Sequence, residues 1–252
     1  MKPEHYHALT ERLQTTLESR SDVIALMALG SMAATERQPD AYSDHDFFVI
    51  TTSGMQQQYR DTTDWLPYPE QLVLHFQETD HGCKAIYDDG HLLEYAIFDR
   101  EELRVARINS YRVLFTKVNL DEVLASVNIV PQSVNPQKAY DTILSNILVG
   151  AWRAKRGEIL SANTFIKQYA LTTFVQMCWQ QIAPDSPHRD SLDPMRRFEK
   201  QFPQLAKDID KTIQLPVLEA AQSLLRLCDL FLTPTMPKPR TKAIAVISQQ
   251  IS

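Results

Sequence analysis

The chain has 252 residues, 44% hydrophobic and 23% charged, with a formal net charge of -5. That length buries a substantial core and allows two domains, and the composition is that of an ordinary globular protein. The acidic balance counts against holding nucleic acid by broad phosphate neutralisation, and no stretch approaches the roughly 20 apolar residues of a membrane span.

The opening MKPEHYHALTERLQ lacks the apolar core of a secretion signal, so the expected location is cytoplasmic. Tyr6, Leu9, Leu13 and Leu17 recur at helical spacing and predict a first helix, with His5 and His7 on its exposed side. VIALMAL (Val23–Leu29) is a continuous apolar run that ends at Gly30, which predicts a strand buried on both faces. FFVIT, from Phe47 to Thr51, predicts the next strand. QLVLHFQ, CKAIYDD and LLEYAIF follow as strands, the last two joined through Asp89-Gly90, a hairpin signal. YRVLFTK adds one more.

The character changes after about residue 127. The segment 127–137, VNIVPQSVNPQ, reads as a linker. Asn135-Pro136 is a helix start, a capping side chain followed by proline in the first turn. Tyr140, Ile143, Leu144, Ile147, Leu148 and Ala151 mark the apolar face of that helix. Ser161 is expected to cap a second helix, with Phe165, Ile166, Tyr169, Ala170, Thr173 and Met177 facing inward. Pro216 opens another, carrying Val217, Leu218, Ala221, Leu224, Leu225 and Cys228. The expected class is α+β: a mixed-sheet domain over 1–127, then a helical bundle over 136–252 that serves substrate binding or dimerisation. The three cysteines, Cys83, Cys178 and Cys228, are odd in number and far apart, which fits neither a disulfide framework nor a structural zinc site. Cys178 and Cys228 are expected in the core, and Trp65, Trp152 and Trp179 in cores or interfaces.

The residues that carry chemistry lie in ALGSMAATERQPDAYSDHDFFVIT. Residues two apart on a strand project to the same face, so Asp44 and Asp46 at a strand start can share a divalent cation. Magnesium takes oxygen ligands and completes its shell with water and substrate phosphates. A turn at Gly30-Ser31 lets backbone N–H groups and the Ser31 hydroxyl approach phosphate oxygens. Glu94, flanked by apolar residues in HLLEYAIF, is expensive to bury in a strand without a metal or a cation beside it. The chain's six glycines build neither G-x-G-x-x-G nor a P-loop, so those two phosphate cradles are absent. His75 is expected as a strand histidine or as a lining of the acceptor site, and His45 to point away from its two neighbours.

LGS, YSDHDFFVIT and LLEYAIF together resemble the polymerase-beta-type nucleotidyltransferases, and more narrowly the bacterial antibiotic nucleotidyltransferases of the lincosamide and aminoglycoside groups. The specific part covers 23–98, and a weaker likeness lies in AWRAKRGEILSA and DPMRRFEKQFPQL. The resemblance implies phosphate binding at Gly30 and Ser31, magnesium at Asp44 and Asp46, and Glu94 as third metal ligand or as base for the acceptor hydroxyl. It also implies a helical-domain lysine, Lys167, on the triphosphate, with a lesser claim for Arg196 and Arg197. The implied reaction transfers a nucleoside monophosphate from an NTP, ATP above all, to a hydroxyl of a small lincosamide-like or aminoglycoside-like molecule, releasing pyrophosphate. A homodimer is compatible with it. The other readings are a protein or tRNA acceptor, or a silent nucleotide-binding regulatory domain. Met32-Ala33 stands where many aminoglycoside-modifying relatives have an arginine. His45 stands where aliphatic residues are commoner.

Overall fold

The computed structural model describes residues 3–33, 39–108, 110–127 and 133–251. The chain forms two compact units, Met1–Ile129 and Val130–Ser252. Residues 128–132 of the predicted linker lie outside the described residues.

The first unit is built on a mixed six-stranded sheet, β1 (Val23–Leu29), β2 (His45–Thr51), β3 (Leu72–Gln77), β4 (Gly82–Tyr87), β5 (Leu92–Phe98) and β6 (Tyr111–Thr116). The spatial order is β3-β4-β5-β2-β1-β6. β2 and β5 run parallel, and every other neighbouring pair is antiparallel. The apolar run of β1 is explained by its interior place, because alternate residues feed both faces. Leu26 and Ala28 join a core with Phe47, Val49, Leu93, Tyr95 and Ile97, beneath Leu9, Leu13 and Leu17 of α1 (Pro3–Glu18) and the fully buried Trp65. Ala25 and Met27 join Ile50, Ala96 and Phe98 on the other face, against Val123, Leu124 and Val127 of α4 (Asp121–Val127). A fully buried leucine or isoleucine in such a layer contributes about 1.5–3 kcal/mol.

Two short helices, α2 (Gly30–Ala33) and α3 (Gln56–Asp61), complete this unit. The β4–β5 hairpin turns at Gly90, whose φ of +83° only glycine adopts freely, and whose N–H donates to the Tyr87 carbonyl at 2.9 Å. Asp46 belongs to β2, which starts two residues before the predicted FFVIT because a polar His-Asp pair does not read as strand.

The second unit is helical: α5 (Pro136–Lys155), α6 (Ile159–Asn163), α7 (Leu171–Ile182), α8 (Phe198–Gln201), α9 (Pro203–Gln214), α10 (Val217–Phe231) and α11 (Thr241–Ile251). The Asn135 side chain caps α5, accepting from the Lys138 N–H at 3.0 Å. Ser161 does not cap the next helix. It lies inside α6, which begins at Ile159 after Glu158.

Residues Thr164–Ala170 between α6 and α7 form a π-helical stretch. Its wider turn advances the buried face, so Ile166, Ala170, Leu171 and Phe174 are buried while Tyr169, expected inside, is exposed. Cys178 and Cys228 are buried, as is Cys83. Trp179 is core and Trp152 is largely exposed. Arg240, before α11, donates from Nε and a terminal nitrogen to both carboxylate oxygens of Asp141 on α5, at 2.8 and 2.6 Å. Among the described residues no helix is long and apolar enough to cross a membrane.

Gly150 shows how closely α5 and the π stretch approach. A Cβ there would stand 2.5 Å from Ile166 Cγ1 and 3.2 Å from Phe165 Cβ, inside a core where Ile166 is almost fully buried. Gly150→Ala improves helix propensity yet overpacks the contact, so it is expected to destabilise by about 1–3 kcal/mol. Thermal unfolding of the variant checks this: a raised midpoint would mean the helices separate freely.

Candidate active site

β2 and β5 are parallel, so both enter the sheet from the same end, and Asp46 pairs in register with Glu94. Asp44 immediately precedes β2. One oxygen from each of Asp44, Asp46 and Glu94 lies within 4.8 Å of the others, and all three residues are half-buried. The pairing extends across two more strands, because Lys84 on β4 faces Glu94 and Phe76 on β3 faces Lys84. Asp46, Glu94, Lys84 and Phe76 therefore form one cross-strand row on one face. Lys84 Nζ lies 2.9 Å from Glu94 Oε1 and 3.0 Å from Glu78 Oε1.

The turn at Gly30 closes the other side of the cluster. Gly30 has φ +49°, and a Cβ built on it would stand 2.5 Å from Asp46 Oδ2. Only glycine leaves that carboxylate its place. The Ser31 hydroxyl donates to the Asp44 carbonyl at 3.1 Å, and the Tyr6 hydroxyl from α1 donates to the same oxygen at 2.9 Å. The two hydroxyls are 3.1 Å apart. Burial pushes the Tyr6 phenol up to about 12, which keeps it a neutral hydrogen-bonding group. Arg112, opposite Ala28 on β6, donates to the Met32 carbonyl at 3.1 Å and so places a guanidinium at the end of α2.

His45, between the two aspartates, is fully buried on the opposite face. Its ring stacks on Tyr6 with centroids 3.8 Å apart. Its Nδ1 lies 2.6 Å from His91 Nε2 and its Nε2 lies 2.9 Å from Thr10 Oγ1. Burial, with His91 alongside, lowers its pKa to about 3, and burial lowers His91 as well. The pair is therefore neutral and structural. It fixes the backbone from which Asp44 and Asp46 project the other way.

The remaining sequence candidates have contacts of their own. His75 pairs with Ala85 and its ring faces Tyr95, on the face away from the acids. His5 and His7 are exposed on α1. In the helical unit, Lys167 Nζ donates to the Leu215 carbonyl at 2.6 Å. Arg153 and Arg156 pair with Glu158, and Arg196 and Arg197 with Asp190.

Sequence reasoning did not single out Lys84, Tyr6, Arg112 or the apolar patch beside the row. Leu74 and Phe76 are 45% and 40% exposed. With the partly buried Ile86 and Leu92 they share the acids' face by register and join none of the three core clusters.

Three carboxylates in so small a space offer an all-oxygen donor set, which suits magnesium. The glycine whose missing side chain makes room for Asp46 Oδ2 fits a site shaped around that group. The residues present therefore fit the divalent ion that the family resemblance implies.

No protein-family model and no curated protein sequence matches the chain. Solved structures similar to it include an aminoglycoside 6-adenyltransferase from Bacillus subtilis (12% identity, 96% of this chain and 90% of that chain, TM-score 0.35). A nucleotidyltransferase-like protein from Exiguobacterium sibiricum is similar at 13% identity over 98% of this chain and 89% of that one, with a TM-score of 0.36. A spectinomycin adenyltransferase from Enterococcus faecialis, solved with ATP and spectinomycin, is similar at 10% identity over 100% and 99%, with a TM-score of 0.34. Likenesses this distant carry no weight for function; the geometry of the carboxylates does.

That geometry makes Gly30 sensitive to a single methyl group. Gly30→Ala puts a side chain at φ +49° and into Asp46 Oδ2. The strain is on the order of 1–2 kcal/mol, and the carboxylate must turn away. Binding of Mn2+, counted by electron paramagnetic resonance, is expected to weaken roughly tenfold, the scale of a disturbed ligand. Unchanged binding in a folded variant would remove Gly30 from the site.

Proposed function

We propose that the chain is a metal-dependent nucleotidyltransferase of the polymerase-beta type. On this reading it moves a nucleoside monophosphate from an NTP, ATP by preference, to a hydroxyl of a small molecule and releases pyrophosphate. The observation that carries it is the close grouping of Asp44, Asp46 and Glu94, with Gly30 packed against one of their oxygens.

In this reading Asp44 and Asp46 hold magnesium, with Glu94 lending an oxygen to the same ion, which when bound neutralises charge on the phosphates and polarises the reacting phosphorus. The Gly30-Ser31 turn brings backbone close to the phosphates, with the Arg112 guanidinium beside it to offset their charge. Glu94 stands at the row's centre and takes the proton of the acceptor hydroxyl as oxygen attacks the α-phosphorus and pyrophosphate leaves. Leu74, Phe76, Ile86 and Leu92 form the adjoining surface, which suits an acceptor with an apolar side to it. A lincosamide-like molecule meets that description better than a wholly polar aminoglycoside. Most of the rate would come from position and charge rather than from covalent chemistry.

The test is Mg-dependent pyrophosphate release with ATP across a panel of hydroxyl-bearing acceptors that includes lincosamides and aminoglycosides. Asp44→Asn and Asp46→Asn are each expected to abolish release with the fold intact, since each removes a ligand charge and little volume. Glu94→Gln is expected to slow turnover by roughly a hundredfold or more at saturating metal, the scale of a lost general base. Wild-type turnover in either aspartate variant would overturn the metal assignment. Full turnover in Glu94→Gln would remove its role. Release with a protein or tRNA acceptor and none with small molecules would redirect the reading.

A further inference from the structure

Lys84 is the cation in the acidic row. It stands opposite Glu94 in the β4–β5 register, and its amine is held from two sides, 2.9 Å from Glu94 Oε1 and 3.0 Å from Glu78 Oε1. Glu78 comes just after β3, where its N–H donates to the Gly82 carbonyl at 2.8 Å. The amine is therefore drawn between a strand and a turn.

Charge alone has two consequences here. Without a metal, three carboxylates within 4.8 Å repel one another, and a fixed ammonium at one of them relieves that repulsion. With a metal, the same ammonium stands close to a divalent cation and opposes it, while also occupying an oxygen of the third ligand. The pair is partly exposed, at 29% and 38%, so it is individually weak and exchanges readily.

Building on the reading of Asp44, Asp46 and Glu94 as a metal site, we propose that Lys84 is the positioning residue for Glu94. It is a built-in cation that competes with the metal for the third carboxylate. It keeps the cluster assembled when no ion is present and holds the affinity for free metal down. The divalent ion then enters together with a nucleotide, whose phosphates supply the negative charge that outweighs the ammonium.

The experiment is Mn2+ binding to the full chain, by electron paramagnetic resonance, with and without ATP. Without nucleotide, Lys84→Met is expected to bind Mn2+ roughly three- to tenfold more tightly than the wild type, the effect of removing one partly screened charge. Lys84→Arg is expected to stay near the wild type. The gain should be much smaller in Lys84→Met combined with Glu94→Gln, because the competition for that carboxylate is gone and only the direct repulsion of the metal remains, and it should shrink when ATP is present.

Equal or weaker binding by a folded Lys84→Met overturns the proposal, as does an undiminished gain in the Glu94→Gln background. Asp44→Asn and Asp46→Asn separate this failure from that of the underlying reading. If both bind Mn2+ as the wild type does, the metal site itself is wrong and Lys84 falls with it. If they lose binding while Lys84→Met gains none, only the role of Lys84 is refuted.

Discussion

The parallel pairing of β2 with β5 is the constraint on which the site depends. An antiparallel neighbour would bring the far end of one strand to the beginning of the other. Parallel pairing brings two beginnings together, and Asp46 meets Glu94 directly. A parallel pair needs a long crossover, and here the chain uses it to build α3, β3 and β4. Those are the elements that bring Lys84 and Phe76 into the same row. One topological choice thus supplies the acids, the cation and the apolar surface together.

The alternation of a strand then divides the work between two faces. His45 lies in the core against Tyr6 and His91, while the aspartates on either side of it point outward. A buried neutral histidine pair is costly to desolvate unless its nitrogens find partners, and Thr10 and the Tyr6 carbonyl supply them. Tyr6 belongs to both sides of this arrangement. Its ring packs against His45, and its hydroxyl reaches the Asp44 carbonyl and the Ser31 hydroxyl. The first helix, read from sequence only as an apolar stripe, therefore also fixes the backbone of the site.

How much was legible in the sequence divides along the same physical line. The strands could be read because their apolar alternation is local, and Asp44, Asp46 and Glu94 could be read because their spacing and apolar setting are local too. Lys84 was not legible: its meaning comes from a partner ten residues away across a hairpin. Arg112 and Tyr6 depend on contacts still more distant in the chain. In the helical half, Asn135 announced its helix correctly through a local cap. Ser161 misled because its helix starts two residues earlier, at Ile159, and Tyr169 because a π-helical stretch shifts the phase of a pattern that assumes 3.6 residues per turn.

The Asp89-Gly90 turn governs more than the folding of its hairpin. Side chains on a strand alternate strictly, so a slip of one residue between β4 and β5 exchanges their faces. With β5 still paired to β2, Lys84 would then turn toward the interior, and Cys83, now buried, would turn out beside Glu94. A single inserted residue in this turn that shifted the register would leave every carboxylate in place, yet replace the ammonium beside Glu94 with a thiol taken from the core. Loop length at position 90 is in that sense part of the site's own code, written in spacing rather than in chemical groups.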